Sequence, residues 1–375
     1  MSPSPIRSRS VLAARRALAA FATLAFAGAA LAQSAAPVRL TLNENPFGPS
    51  PLAAQAIQAE LVGGAGLFRY VGDEADAFAA QVAACEGVAP EQIVVGEILE
   101  SLGLHLSLRG GPGGEFIYSV PGYPALVDAA ARVGGVVVAV PLNRRLENDL
   151  PAIAAKVNAR TRAVFLVNPH NPSGTVNDVA EFVAFVRQVS KRALVIVDEA
   201  YIEFSDDYAK RTAVALTRAG ENVIVFRTFA KVHGLAGLPL GYAVAPRELA
   251  DYLRRQGLGS PRELNRLALA AGSASLRDTA YIGRVHDAVA AGRAQWHATL
   301  DALKLRHTDS QANFVYFDAG WPQADVAKTL LAAGVVIGRA FPPYDTWVRI
   351  TIGLPEENAR AQAALRQALE KSRAP

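Results

Sequence analysis

Between Ile93 and Ala245 the sequence alternates short, continuous apolar runs with helix-period segments, which limits the chain to a sheet wrapped in helices. The runs are Ile93–Val95, Glu115–Ser119, Val136–Val140, Ala163–Asn168, Ala193–Asp198, Val223–Phe226 and Leu240–Ala245. Helical patterns at Leu126–Val133, Asn177–Ser190 and Thr212–Ala219 fill gaps between them. Strands with no polar side must be covered on both faces, so the prediction is an α/β domain with a mostly parallel, seven-stranded sheet. Asn168–Gly174, Asp198–Tyr201 and Thr228–Lys231 each follow directly on a run. Open α/β sheets bind ligands at the carboxyl ends of their strands, so these three segments are expected to converge.

Before the sheet lie an irregular arm rich in Pro, Gly and Asn (Leu40–Ser50) and helical patterns at Pro51–Leu61 and Asp73–Glu86. After it come helices at Pro261–Ala271 and Ala280–Ala302. Short strands follow at Phe314–Phe317, Val335–Ile337 and Val348–Ile352, among helices at Ala324–Ala333 and Glu356–Lys371. That change of pattern predicts a smaller α+β domain. The expected divisions are a leader at 1–32, an arm at 33–60, a large domain at 61–275 and a small domain at 276–375, to which part of the arm belongs.

The leader is read from Arg7, Arg9, Arg15 and Arg16, followed by the alanine-rich apolar stretch Ala17–Leu31 and the small-x-small pattern Ala30-Leu31-Ala32. A basic head, a short apolar segment and small residues before Gln33 make a signal peptide, and the protein is expected to be periplasmic or secreted. Arg15-Arg16 is compatible with twin-arginine export as well as with a plain secretory signal. The whole chain has 38 basic and 34 acidic residues, and the leader holds four of the arginines and no acid, so residues 33–375 balance at 34 against 34. No basic excess remains for nucleic acid, and no stable membrane insertion is expected once the leader is removed. Cys85 is the only cysteine, which excludes an internal disulfide. The histidines show no metal-ligand spacing.

Five motifs occur in order: Asn43-Glu44-Asn45-Pro46, Asn168-Pro169-His170-Asn171-Pro172-Ser173-Gly174, Asp198-Glu199-Ala200-Tyr201, Lys231, and Arg349-Ile350-Thr351-Ile352-Gly353. Together they resemble the class I/II aminotransferases that use pyridoxal 5'-phosphate, and within them the histidinol-phosphate aminotransferases. The resemblance spans about residues 38 to 370 and implies the transferase fold of that family and a homodimer. It implies that Lys231 forms a Schiff base with the cofactor and then moves protons as general base and acid. Asp198 would keep the pyridine nitrogen protonated. Asn171 and Tyr201 would hold the ring hydroxyl, Tyr123 would stack on the ring, and Thr228 would bind the phosphate. Tyr70 would cross the dimer interface towards that phosphate. Arg349 would grip a substrate carboxylate through two parallel hydrogen bonds, with Asn45 beside it. Each residue also has a plain structural use: Asp198 as a helix cap, Asn171–Gly174 as a turn, the tyrosines as packed aromatics and Arg349 in a salt bridge.

The phosphate end departs from the family. Gly96-Glu97-Ile98-Leu99-Glu100-Ser101 stands where a small, polar phosphate cup is usual, Ala230 where a serine precedes the lysine, and Pro239 where an arginine follows it. Either a rebuilt cup holds the phosphate, through Thr228, Tyr70 and Arg227 or His233, or cofactor binding is weak or lost. The expected activity is transfer of an amino group from an α-amino acid or related amine to a 2-oxo acid. An exported enzyme would be in the wrong compartment to use histidinol phosphate for cytosolic histidine synthesis. An oxidase, lyase or racemase on the same fold, or an exported non-catalytic binding protein, are the alternatives. Arg339 and Tyr344 are further candidates for the substrate pocket.

Overall fold

The computed structural model describes residues 37–63 and 66–373, so the expected leader lies outside the described residues. Residues Arg39–Pro375 form one compact unit. After the short strand β1 (Val38–Leu40), its centre is a seven-stranded sheet of β2 (Ile93–Val95), β3 (Glu115–Val120), β4 (Val136–Pro141), β5 (Thr161–Val167), β6 (Leu194–Asp198), β7 (Val223–Thr228) and β8 (Gly241–Val244), in the order β2-β8-β7-β6-β5-β3-β4. All neighbours from β7 to β4 pair in parallel, and β8 runs antiparallel to both β2 and β7.

The seven apolar runs are therefore these seven strands, and the burial pattern explains why they read so clearly. Val195, Val197, Val223 and Val225 enter one core while Leu194, Ile196, Ile224 and Phe226 enter a second on the opposite face. A strand with both faces buried has no place for a polar residue until it ends. Asp198, the last residue of β6, and Arg227 and Thr228, the last two of β7, are those first polar positions.

Some helices lie outside the expected patterns. Leu99–Gly110 follows β2, buries Leu99, Leu102 and Leu106, and packs on the helix Ala125–Ala131. Gly103 permits the approach, because a Cβ there would overlap the carbonyl oxygen of Leu126. Helices Leu150–Lys156 and Arg247–Arg255 were likewise unmarked by the sequence. The helix expected from Pro261 begins instead at Arg266, because the Asn265 side chain accepts from the backbone N–H groups of Leu267 and Ala268 and caps it there.

Beyond the long helix Thr279–Ala302 lie β9 (Phe314–Asp318), β10 (Val335–Ile337) and β11 (Trp347–Thr351), and β11 pairs antiparallel with β9. Arg349 and Tyr316 are register partners in that ribbon. Trp296 is fully buried on the long helix and donates its indole N–H to Asn358, whose side chain also bonds Gly353 at the end of the Arg349 motif. No described helix is long and apolar enough to cross a membrane.

Candidate active site

The three post-strand segments do converge, on a cavity of about 870 Å³ that is also lined by Leu42–Glu44, Glu97, Tyr123, Pro239, Arg339, Phe341 and Arg349. Asp198 is almost fully buried at the end of β6, and its Oδ1 accepts from the Ala200 N–H at 3.0 Å. That bond closes a local turn rather than capping a helix, and Asp198 lines the cavity. Burial pushes its carboxyl up to about 7; the charge of Glu97 acts in the same direction, and the Ala200 N–H and Lys231 act against it.

Tyr201 stands three residues beyond Asp198, with its ring edge-on to Phe314 at 5.2 Å. Its hydroxyl accepts from Asn43 Nδ2 at 3.1 Å and Asn171 Nδ2 at 3.5 Å. Asn171 projects from the turn after β5, and a chain of small side chains braces that turn. His170 Nδ1 meets Ser173 Oγ at 2.9 Å, Ser173 Oγ meets Thr175 Oγ1 at 2.8 Å, and Thr175 donates to the Leu146 carbonyl at 2.7 Å. Burial pulls the His170 imidazole down to about 3, so it stays neutral and serves as scaffold.

Arg349 is buried on β11 and donates to Asn171 Oδ1 at 2.5 Å and to the Thr41 carbonyl at 2.8 Å. Its guanidinium lies over the rings of Phe341 and Phe314, at 5.0 and 5.4 Å. No carboxylate pairs with it among the described residues, and its Nε is buried without a partner there. A structural salt bridge is thus excluded as its role among the described groups. Lys231 is half-buried; its Nζ donates to the Leu42 carbonyl at 3.0 Å and lies 5.7 Å from the Tyr201 ring centre. Tyr123 lines the cavity with its ring partly exposed, and burial first, then the nearby Asp198, pushes its phenol up to about 12.

Several expected placements are corrected. Asn45 does not face the cavity: its amide donates to the Val232 carbonyl at 2.9 Å and its Oδ1 accepts from Phe47 N. The arm turns at Asn43, whose backbone is left-handed (φ 55°), and this places Asn43 rather than Asn45 against Tyr201. Arg227 and His233 are not available to a phosphate. Arg227 is buried between Glu86, Glu199 and Glu203 at 3.1, 3.0 and 3.7 Å. His233 bonds Ser275 Oγ at 2.8 Å and packs against Phe229. Tyr70 is exposed and stands outside the cavity wall of its own chain, which leaves the expected reach across a dimer interface open rather than corrected. Tyr344 packs on Trp347 and is not part of that wall, whereas Arg339 is. The arm motif pointed to the right segment; the positive φ of Asn43 is invisible in sequence.

Comparison with known proteins decides the family. Residues 36–365 match the family Aminotransferase class I and II. The chain belongs to the class I and II aminotransferases. It is 36% identical over 339 residues to the histidinol-phosphate aminotransferase of Moorella thermoacetica, covering 88% of this chain and 85% of that one. It is 38% identical over 336 residues to the corresponding enzyme of an Anaeromyxobacter species, covering 87% and 89%. The crystal structure of histidinol-phosphate aminotransferase from Sinorhizobium meliloti in complex with pyridoxal-5'-phosphate superimposes with a TM-score of 0.81 at 27% identity, over 89% of this chain and 91% of that one. This aminotransferase is a pyridoxal-phosphate enzyme, and the ring end of its cavity fits the cofactor. Asp198 would offer a buried carboxylate to a protonated ring nitrogen, Tyr201 and Asn171 would offer hydroxyl and amide to the ring oxygen, and Lys231 stands beside them.

Asp198 gives a pH prediction for the cofactor-free protein. Its folded value, about 7, lies above the usual carboxylate value of the unfolded chain, roughly 3.9. The group therefore favours folding at low pH, and that contribution is lost as pH rises from about 4 through about 7. Asp198→Asn cannot ionise, so thermal unfolding of the cofactor-free proteins should show the variant gaining on the wild type across that window, by up to ~4 kcal/mol. Parallel pH profiles would contradict the assignment of this titration to Asp198.

Proposed function

We propose that the substrates are an α-amino acid or closely related amine as donor and a 2-oxo acid as acceptor. The observation that carries this is Arg349, a buried guanidinium facing the cavity with its Nε unpartnered among the described residues. Burial pulls its pKa down, which marks a charge that is costly without a counter-ion, and a substrate carboxylate supplies one. Arg339 brings a second guanidinium to the cavity, over Phe341 at 4.4 Å. When bound, pyridoxal phosphate supplies an electrophilic carbon and an electron-accepting ring. The Asp198 carboxylate would hold the proton of the ring nitrogen, and its charged form would be favoured once it gained that partner. Tyr201 Oη and Asn171 Nδ2 would hold the ring hydroxyl. Lys231 Nζ would take the proton from the amino-bearing carbon of the substrate and return it. Phe341 and Tyr123 wall the cavity and limit water.

A screen of amino donors against 2-oxoglutarate and pyruvate tests this reading, together with Arg349→Gln. The variant should lose about 10²-fold or more in kcat/KM for carboxylated substrates, the usual cost of removing a buried charged hydrogen-bonding partner. Half-reactions with amines that lack a carboxylate should change far less. Equal losses for both substrate kinds would contradict carboxylate recognition by Arg349.

We also propose that the enzyme is exported and dimeric. The basic head and alanine-rich stretch of residues 1–32 support export. Support for a dimer comes from Leu61, Val62, Leu67, Phe68 and Tyr70, which expose 53%, 90%, 74%, 76% and 82% of their surface within one short stretch. Native mass spectrometry of the protein isolated from its producing cells tests both. The expected species is a dimer of chains beginning at Gln33; a monomer, or a chain retaining Met1, would contradict the respective proposal.

A further inference from the structure

The cavity has two ends, and only one resembles a cofactor site. At the first end Tyr201, Asn43, Asn171 and Arg349 are joined by hydrogen bonds. At the second, β7 ends at Thr228, and Glu97 reaches in from the loop between β2 and the helix Leu99–Gly110. Thr228 Oγ1 donates to Glu97 Oε1 at 2.5 Å, and the Ala230 N–H donates to Thr228 Oγ1 at 3.0 Å. On the pyridoxal ring the 5'-arm is attached beside the aldehyde carbon, on the side away from the ring hydroxyl. With the hydroxyl held by Tyr201 and Asn171 and the aldehyde at Lys231, the arm belongs at the second end.

A phosphate monoester brings roughly two negative charges at neutral pH. Beyond the backbone N–H groups at the start of the helix Leu99–Gly110, little at this end would receive them. Ala230 has no hydroxyl and Pro239 has neither a cation nor an N–H. Arg227, next to Thr228 in sequence, is enclosed by its three carboxylates, and burial keeps His233 neutral, pulled down to about 3. Among the described cations of the cavity wall, Arg339 and Arg349 stand with Phe341, which leaves Lys231. Lys231 is already required by the aldehyde. Of the hydroxyls there, that of Thr228 is bonded to a carboxyl group, and that of Ser101 stands one residue from Glu100. Glu100 adds a second acid to the same wall.

A neutral hydroxymethyl arm meets none of these difficulties: its O–H can donate to Glu97 while its oxygen accepts from Thr228. We propose that Glu97 is a specificity residue that replaces phosphate recognition at this end, so that the chain binds pyridoxal about as tightly as pyridoxal phosphate. The proposal rests on the ring-end assignment above. Pyridoxal phosphate remains the family's cofactor and is usable here, but its phosphate adds little to affinity. Glu97, in contact with Thr228 and within the field of Lys231 and Asp198, has its carboxyl raised first by burial, which suits a group that shares a hydrogen bond with a neutral arm.

Equilibrium binding to the stripped full-length protein tests this without reference to turnover. Pyridoxal and pyridoxal phosphate are titrated separately at one pH and ionic strength, followed by visible absorbance and tryptophan fluorescence. The wild-type dissociation constants should lie within about tenfold of each other, a gap of ~1.4 kcal/mol. Glu97→Gln and Glu97→Ser, checked for folding by circular dichroism, should shift the ratio of the two dissociation constants towards pyridoxal phosphate by about tenfold or more, as removal of one like charge and of the acceptor for the pyridoxal hydroxyl predicts. Wild-type binding of the phosphate ester about 100-fold tighter than pyridoxal would overturn the proposal, as would an unchanged ratio in both variants. If neither compound binds, the ring-end assignment fails and takes this proposal with it, a result distinct from tight binding of the phosphate ester alone.

Discussion

The side-chain amide of Asn171 is the contact on which the site depends. Its Nδ2 points to the Tyr201 hydroxyl and its Oδ1 accepts from Arg349, so one planar group links the cofactor side of the cavity to the substrate side. Neither partner is local: Tyr201 follows β6 and Arg349 lies on β11, 178 residues from Asn171. The arm closes the same network, because Asn43 donates to Tyr201 and exchanges hydrogen bonds with Thr351, two residues beyond Arg349. Such a network tolerates few rearrangements, since each member removed leaves another buried polar group unpaired.

Beneath the cavity floor a second group of charges fixes the strand ends. Arg227 lies among Glu86, Glu199 and Glu203, and Glu199 also accepts from Thr212 and from the Ala213 N–H. Arg227 precedes Thr228 and Glu199 follows Asp198, so this buried pairing locks together the two strand ends that carry site residues. One cation facing three carboxylates is not balanced, and burial pushes Glu203 up to about 7, so it retains a proton up to neutral pH. A buried arrangement of this kind is weak evidence for stability in itself, but removing one member exposes the others to uncompensated burial. Its effect here is positional.

How much of this was legible depends on the kind of information each residue carries. The seven strands were legible because burial on both faces leaves an unbroken apolar record, as in Val223–Phe226. Asp198, Tyr201, Asn171 and Lys231 were legible because each sits at or just after the end of such a run, where an α/β sheet opens to its ligand. Asn43 was not: the choice between it and Asn45 turns on one left-handed backbone angle and on which amide the Val232 carbonyl captures. Arg227 and His233 misled because a charge beside a site residue in sequence points to the other face of the strand or loop, where Glu86 and Ser275 wait. Glu97 was legible as an anomaly; its contact with Thr228, which gives the anomaly a chemical sense, required the fold.

Lys231, framed by Asp198, Tyr201 and Asn171, is the proposed covalent attachment point of the cofactor. Borohydride reduction of the protein equilibrated with pyridoxal phosphate, followed by peptide mass mapping, tests it directly, because reduction makes an amine-linked cofactor permanent. The account predicts a single labelled peptide, the one containing Lys231. Label on Lys156, Lys210 or another lysine in its place, or no label at a cofactor concentration that saturates the visible spectrum, would contradict it.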